Sequence, residues 1–377
     1  YNYKFDKSFL SFRAQNRIEN NEAFEEESKW KNSGYSFMLE KNWNPDWKSK
    51  LVLGGSAFEH KNKLQSSVYR TSEDFADTLQ IDFSSAQEVL TGDLNWKNQW
   101  QMQSNRQLSF GYQYTGYKIR SVFSQSMTKY FSNIQQTGLH TAFLEWREKL
   151  APGLTASGAL RSTWNHYNRK FYFSPRINLN WEMAEKLILK GFTGTDYQFL
   201  QEASHENQFG RTASFWILGG EGPFPVARSR QWMAGFRIPG NTLSLDVEFY
   251  QNATEGIVEY ALSKPGLAPQ TPVSELIGRF RFFDGTRLTK GMDLILEKSL
   301  GDLTGLLSYT LSKTTNTFPN INFGDPFPAQ DDRRHQLQLV SNYAYENWDF
   351  GFAYTFTSGR PYLDLSRINE PVTDRMN

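Results

Sequence analysis

The sequence has no cysteine, and none of its apolar runs reaches the roughly 18 residues that a transmembrane helix needs. The lack of cysteine excludes a disulfide scaffold, a thiolate metal site and a cysteine nucleophile, and it suits a protein that passes through an oxidising periplasm. The lack of a long apolar run excludes helical membrane spans. It leaves β-strands, which cross a bilayer with about 10 alternating residues.

Histidine is also scarce, and neither sign of charge prevails. None of the five histidines has a partner at the spacing of a metal site or a catalytic triad, and the 41 basic and 40 acidic residues form no blocks. His205 precedes Glu206, but a zinc helix would need a second histidine where Phe209 stands, so we predict a solvated loop pair. The sequence therefore indicates no enzyme, no cofactor, no metal and no nucleic-acid partner.

Aromatic residues are abundant, and they recur on alternate positions. Only 38% of the residues are hydrophobic and the mean hydropathy is −0.62, yet 16% are aromatic. From 348 to 356 the even positions are Trp, Phe, Phe, Tyr and Phe, whereas the odd positions are Asp, Gly, Ala and Thr. From 303 to 312 the odd positions carry Leu303, Leu307, Tyr309 and Leu311, opposite Thr304, Ser308, Thr310 and Ser312, with Leu306 as one exception. This period of two predicts about fifteen strands, each with one apolar face.

The segments between these strands alternate in length. Short turns are predicted at 44–47, 103–106, 151–153, 184–185, 239–241, 301–302 and 346–347, and mostly long loops at 20–32, 61–85, 120–134, 168–172, 200–228, 263–287 and 316–333. Short turns on one rim and long loops on the other are typical of an up-and-down membrane barrel.

Tryptophan is concentrated beside the predicted short turns, which carry six of the 11 tryptophans. Indole rings favour the headgroup region of a membrane, so we predict an aromatic girdle at this rim. A soluble β-sandwich or propeller is the alternative. A sandwich would not need tight turns that alternate with long loops, and no repeat of about 40 residues supports a propeller. The six tryptophans are Trp43, Trp47, Trp100, Trp146, Trp181 and Trp348.

Several short motifs resemble the barrel of TonB-dependent outer-membrane receptors. TKGMDLILEK at 289–298 is similar to the glycine-plus-acidic start of a barrel strand in that family, and SYTLS at 308–312 is similar to the aromatic strand beside it. DDRRH at 331–335 resembles the charged start of the next strand, and TSGRPY at 357–362 the glycine-proline exit of the following one. FSPR at 173–176 and Tyr197 with Gln198 resemble a matching pair upstream. The motifs occur in order over about half of the chain, and residues 1–170 resemble the family in architecture alone.

The resemblance implies an all-β, transmembrane, antiparallel up-and-down barrel in the bacterial outer membrane. Family barrels have about 22 strands, so we expect 1–377 to be a partial barrel domain, incomplete at both ends, whose N-terminal plug domain lies elsewhere. The implied function is active import of a bulky nutrient, such as a siderophore, glycan or peptide. The implied partners are the TonB complex acting through the plug, membrane lipid and lipopolysaccharide, the imported ligand and a surface lipoprotein.

One predicted loop has the composition of a ligand-binding surface. The connection at 200–228 combines aromatic rings and guanidinium groups with glycine and proline, a mixture that stacks on rings and holds anionic or hydroxyl groups. An outward loop packed by its own aromatic residues is the alternative. The candidate ligand-binding residues are Arg211, Phe215, Trp216, Phe224, Arg228 and the nearby Arg230.

A second cluster of charge lies at 331–335. His335 follows two carboxylates, a combination that acid–base chemistry uses, but at the start of a strand a rim network that orders the adjacent loop is the simpler interpretation. The predicted rim network consists of Asp331, Asp332, Arg333, Arg334 and His335.

Two other functions stay open at this point. The first is an unplugged porin-like or adhesive outer-membrane barrel, which differs from an importer by lacking the plug and its coupling segment. The second is a soluble β-rich carbohydrate-binding domain, which differs by burying the apolar strand faces against each other.

Overall fold

The computed structural model describes residues 20–72, 75–125, 128–206, 212–222, 224–262 and 280–361. These residues form a single sheet of 17 strands. The strands are β1 (Asn20–Asn44), β2 (Trp47–Ser72), β3 (Phe75–Gln103), β4 (Arg106–Gln125), β5 (Thr128–Ala151), β6 (Leu154–Asn165), β7 (Lys170–Ala184), β8 (Leu187–Gln198), β9 (Leu200–Glu206), β10 (Thr212–Leu218), β11 (Ala227–Ile238), β12 (Leu243–Leu262), β13 (Phe280–Leu300), β14 (Leu303–Thr317), β15 (Phe327–Pro328), β16 (His335–Tyr345) and β17 (Trp348–Thr357).

Fourteen of the described strands form one antiparallel, up-and-down wall. β1 to β8 pair in chain order, β8 pairs directly with β11, and the series continues through β12, β13, β14, β16 and β17. β9, β10 and the two-residue β15 stand outside this series. The predicted all-β antiparallel architecture is therefore confirmed. In the described residues β1 and β17 do not pair with each other, and the sheet is open between them.

All seven predicted short turns are confirmed, and together they form one rim. At Asn44 the side-chain carbonyl accepts a hydrogen bond from the main-chain N–H of Asp46 (3.0 Å), which closes the first turn. Gly153 has φ +75, and an added Cβ there would lie 2.6 Å from the Glu182 carbonyl oxygen, so the third turn needs glycine.

Three of the predicted long loops, 20–32, 61–85 and 120–134, are wrong as loops, whereas 168–172 and 316–333 lie largely between strands as predicted. Strands β2 and β3 continue in register beyond 61 to Ser72 and Phe75, and β4 and β5 continue to Gln125 and Thr128. The residues at 20–32 lie in β1. The physical reason is that antiparallel strands pair their main-chain N–H and C=O groups beyond the membrane as well. This pairing does not depend on the pattern of side chains. Of the predicted connection at 263–287, residues 263–279 lie outside the described residues.

The two faces of the wall differ as predicted. On β17, Phe350, Phe352 and Phe356 share one face, and each exposes about half of its side chain. On β14 the outer face carries Leu307, whereas Thr310 on the inner face donates a hydrogen bond to Asp293 Oδ1 of β13 (2.7 Å). An apolar outer face and a polar inner face are what a strand between lipid and an aqueous lumen requires.

The predicted tryptophan girdle is present at the rim of short turns. Five of the six predicted tryptophans, Trp43, Trp47, Trp100, Trp181 and Trp348, are exposed by 55%, 42%, 44%, 40% and 67%. The sixth, Trp146, is half-buried. Trp43 and Trp47 lie 6.3 Å apart, measured between ring centroids. Among the described residues no helix is long and apolar enough to cross a membrane.

Candidate functional site

Charged side chains on the inner face neutralise one another. Lys97 Nζ of β3 lies 2.8 Å from Glu145 Oε2 of β5. Lys190 of β8 reaches across to β12, where its Nζ lies 2.6 Å from Asp246 Oδ1 and also contacts the Glu248 carboxylate. The interior is therefore polar but close to charge balance along these strands.

Strands β9 and β10 form a hairpin that leaves the wall between β8 and β11 and folds inward. We call this element the internal hairpin; its strands pair from Leu200↔Leu218 to Glu206↔Thr212. β10 contacts β3, β4 and β5, whereas β9 contacts β12. The internal hairpin thus bridges two parts of the wall that are distant in the chain.

One face of the internal hairpin packs against the inner side of β3 and β4. Leu218 is buried with Val89 of β3 and Ile119 of β4. Leu200 and Trp216 lie on the same hairpin face and pack at the edge of this cluster, together with Phe58 and Tyr117 from the wall.

The opposite face of the internal hairpin packs against the ends of β12 and β13. Phe215 is fully buried, and its ring centroid lies 5.4 Å from that of Phe123 and 6.1 Å from that of Phe282. Phe224, just after the hairpin, lies 4.8 Å from Phe282 by the same measure. Ala203, Ile217 and Val258 complete this cluster. Apolar contacts on both faces hold the hairpin as a buried layer.

The side chain of Gln135 in β5 forms hydrogen bonds with the main chain at the end of the internal hairpin. Its Oε1 accepts a hydrogen bond from the Leu218 N–H (2.9 Å), and its Nε2 donates to the Leu218 carbonyl oxygen (3.4 Å). Burial raises the pKa of the Glu221 carboxyl in the following turn, against the opposing effect of a hydrogen bond from Gln135. One buried amide therefore satisfies both main-chain groups of a residue that lies outside the regular wall ladder.

Nearly the whole chain matches one family. The family model described as "TonB dependent receptor-like, beta-barrel" matches residues 1–375. The chain belongs to this family of TonB-dependent receptor barrels. The predicted family and its location in the bacterial outer membrane are thereby confirmed, and the soluble carbohydrate-binding alternative is set aside. No curated protein resembles the sequence closely enough to count as a match.

Solved structures similar to this receptor barrel share its fold at low identity. A ferric enterobactin receptor of Pseudomonas aeruginosa in complex with enterobactin is 14% identical, with a TM-score of 0.57 over 94% of this chain and 62% of that one. FpvA of P. aeruginosa bound to heterologous pyoverdines is 10% identical, with a TM-score of 0.54 over 93% and 58%. The RagAB peptide importer is 11% identical, with a TM-score of 0.50 over 92% and 49%. This chain therefore spans about half to two thirds of these proteins.

The receptor barrel does not bring the six candidate ligand-binding residues into one place. Phe215 and Phe224 are buried in the same cluster, whereas Trp216 points to the opposite face of the internal hairpin. Arg211 lies outside the described residues. The predicted loop at 200–228 is thus wrong as an outward loop: Leu200–Glu206 and Thr212–Leu218 are the two strands of the internal hairpin, because its apolar side chains pack on both faces.

Arg228 and Arg230 lie on the outer side of the receptor barrel. They share a face of β11 with Trp232, which is 46% exposed, and Arg230 Nη2 lies 3.4 Å from Glu255 Oε1. Ser229 between them faces the lumen, where its hydroxyl contacts Thr254 Oγ1 (3.1 Å). The two arginines therefore do not face the interior.

The charged segment 331–335 makes several separate contacts at the rim opposite the short turns. Asp331 Oδ2 accepts from Arg287 Nη1 of β13 (3.2 Å), and Asp332 accepts from the Thr314 N–H (2.8 Å) and from Arg334 Nη2 (3.2 Å). The Arg333 carbonyl accepts from Ser312 Oγ (3.3 Å), and His335 Nδ1 bonds Tyr309 Oη (2.9 Å). These contacts tie the start of β16 to β13 and β14. A 3-10 turn, Asn322–Gly324, lies in the loop between β14 and β15.

No metal centre is formed by the described residues, since none of their His, Cys, Asp and Glu side chains come together in groups of three. The candidate site consists of the polar inner face of the wall and the internal hairpin that packs against it.

Proposed function

We propose that the whole receptor imports a bulky nutrient, a siderophore, a glycan or a peptide, with energy supplied by the TonB complex. The observation that carries this proposal is the internal hairpin, which is packed on both faces inside a polar-walled barrel. In the complete barrel of the whole receptor, a hairpin that packs inside the wall narrows the lumen and opposes free diffusion. The receptors for enterobactin and pyoverdines and the peptide importer, which share this fold, support a large solute.

A plug domain outside residues 1–377 supplies the contact with TonB in this proposal. The paired charges of the inner face, such as Lys97 with Glu145, offer such a domain a polar and nearly neutral surface. Because charge pairs of this kind are satisfied within the wall, a plug can move past them without leaving an isolated buried charge.

The experiment is an uptake measurement with the full receptor in cells. Labelled ferric siderophores, oligosaccharides and peptides are offered in turn, with and without an uncoupler and with and without TonB. We expect one class to bind under all conditions and to accumulate only when TonB and the proton-motive force are both present. Uptake that persists without TonB would instead indicate a porin-like barrel, and binding without any uptake would indicate an adhesive one.

Of the six candidate residues, we further propose that Arg211 and Trp216 contact the ligand. Phe215 and Phe224 are buried, and Arg228 and Arg230 lie on the outer side, whereas Trp216 is only partly buried. Arg211→Ala and Trp216→Phe are each expected to weaken ligand binding about tenfold or more, as is usual for aromatic and arginine anchors. Titration of the purified receptor with its ligand measures this.

Arg230→Ala is the matched control for these variants, because it removes an arginine that faces away from the lumen. Its ligand affinity should equal that of the unaltered receptor. If Arg230→Ala weakens binding as much as Arg211→Ala does, the ligand does not bind where we propose.

A further inference from the structure

Two lysines stand side by side on the outer face of the barrel. Lys290 of β13 and Lys313 of β14 are direct partners in the antiparallel register, and both are exposed. The pairs that precede them on the same face are apolar. They are Leu296 with Leu307, Leu294 with Tyr309, and Met292 with Leu311.

The position of the lysine pair across the membrane follows from the position of Lys313 along β14. Leu303 begins β14 beside a short turn, and Lys313 follows ten positions later. Ten residues of strand rise about 34 Å, or about 26 Å across the membrane at a tilt of about 40°. The apolar band of an outer-membrane barrel is about 25 Å tall. Lys290 and Lys313 therefore reach the headgroup region of the leaflet opposite the short turns.

The two ammonium groups are not neutralised by the protein. In the part of the chain that the structure describes, no ion pair or hydrogen bond joins either Nζ to a carboxylate. Like charges placed directly opposite each other in a sheet repel, so the pair is unfavourable unless an anion lies between its members.

A third basic side chain lies next to the pair. His335 of β16 is the register partner of Leu311, on the same outer face, one step below Lys313. Its Nδ1 is fixed by Tyr309 Oη at 2.9 Å. The two ammonium groups of the lysines and the imidazole of His335 thus lie together on the outer face, at the level where the apolar band ends.

We propose that Lys290 and Lys313 bind the phosphate of an anionic lipid headgroup in the outer leaflet, with His335 at the edge of the site. The lipid tails then lie along the apolar pairs below, and the phosphate removes the repulsion between the lysines. A membrane lipid fits this position better than a soluble anion, because the site opens onto the side of the wall that faces hydrocarbon.

The test uses the full receptor in phosphatidylcholine vesicles and diphosphorylated lipid A as the probe. The double variant K290Q/K313Q is expected to bind lipid A about thirtyfold more weakly, since each lysine near the surface contributes about fivefold. The matched control is Lys298→Gln, which removes a lysine from the same face of β13 at the other rim and should leave the affinity unchanged.

A second variant separates lipid binding from folding. Lys313→Glu replaces the repulsion with an ion pair to Lys290, so in phosphatidylcholine alone it should be at least as stable as the unaltered receptor while its lipid A affinity falls. Unchanged lipid A binding in K290Q/K313Q would overturn the proposal. Full competition by inorganic phosphate would overturn it as well, because it would identify the site as one for a soluble anion.

Discussion

Leu307→Arg is expected to lower the free energy of unfolding of the receptor from a bilayer by about 2 to 4 kcal/mol. Leu307 lies on the outer face, between Leu296 of β13 and Leu339 of β16 in the register, and near the middle of the apolar band. An arginine at this depth must bring its charge toward hydrocarbon or distort the bilayer. Equilibrium unfolding from vesicles in denaturant measures the change.

Ser308→Arg is the matched control for Leu307→Arg, since the two residues are adjacent in the chain and face opposite sides. Ser308 lies on the inner face, opposite Ile295 and Gln338. The same charge placed there meets water or polar groups, so its cost should be much smaller. Equal costs for the two variants would contradict the assignment of the faces.

Phe215→Ala is expected to undock the internal hairpin. Phe215 has no exposed surface and packs against rings from β4 and β13, so its loss should cost about 3 to 5 kcal/mol of docking free energy. The backbone amides of β9 and β10 should then exchange hydrogen at least about a hundredfold faster. Hydrogen exchange read by mass spectrometry on the full receptor measures this, and the wall strands serve as an internal standard.

A second phenylalanine provides the control for this variant. Phe323, in the loop before β15, is 94% exposed and should be replaceable by alanine without any change in hairpin exchange. Exchange in Phe215→Ala that matches the unaltered receptor would show that the internal hairpin is held by something other than its buried rings.

The wall could be predicted from the sequence because each strand lies between two different media. Lipid on one side and water on the other force the alternation at 303–311 and 348–356, and the turns that reverse the chain need residues such as Gly153. These local constraints determine which residue types occur at each position, so they can be recognised in the sequence. For the same reason the position of all seven short turns was predictable, as was the tryptophan girdle.

The internal hairpin was not predictable in the same way because both of its faces are covered. Leu200 and Leu218 are apolar on one face and Ala203, Phe215 and Ile217 on the other, so no alternation of apolar and polar residues marks it as a strand. Its glycine-rich end at 219–222 forms a turn in which Gly220 and Gly222 have φ +92 and +59. The wall residue that holds it, Gln135, is separated from Leu218 by 83 positions and carries no local signal.

The placement of the candidate binding residues was also not predictable from the sequence. Arginine and aromatic side chains at 211–230 have the composition of a binding surface, yet composition does not show which side of a strand faces the lumen. Arg230 and Ser229 are neighbours in the chain and face opposite media, because a single step along a strand reverses the side.

The central claim, that alternate residues of each wall strand face lipid and lumen, can be measured directly because these 377 residues contain no cysteine. A fluorophore is attached to single cysteines at two outer positions, Leu307→Cys and Phe352→Cys, and at their inner neighbours, Ser308→Cys and Ala353→Cys. The full receptor is then placed in vesicles. We expect brominated lipid to quench the two outer probes and aqueous iodide to quench the two inner ones. Inner probes that respond to the lipid quencher, or outer probes that do not, would contradict the account.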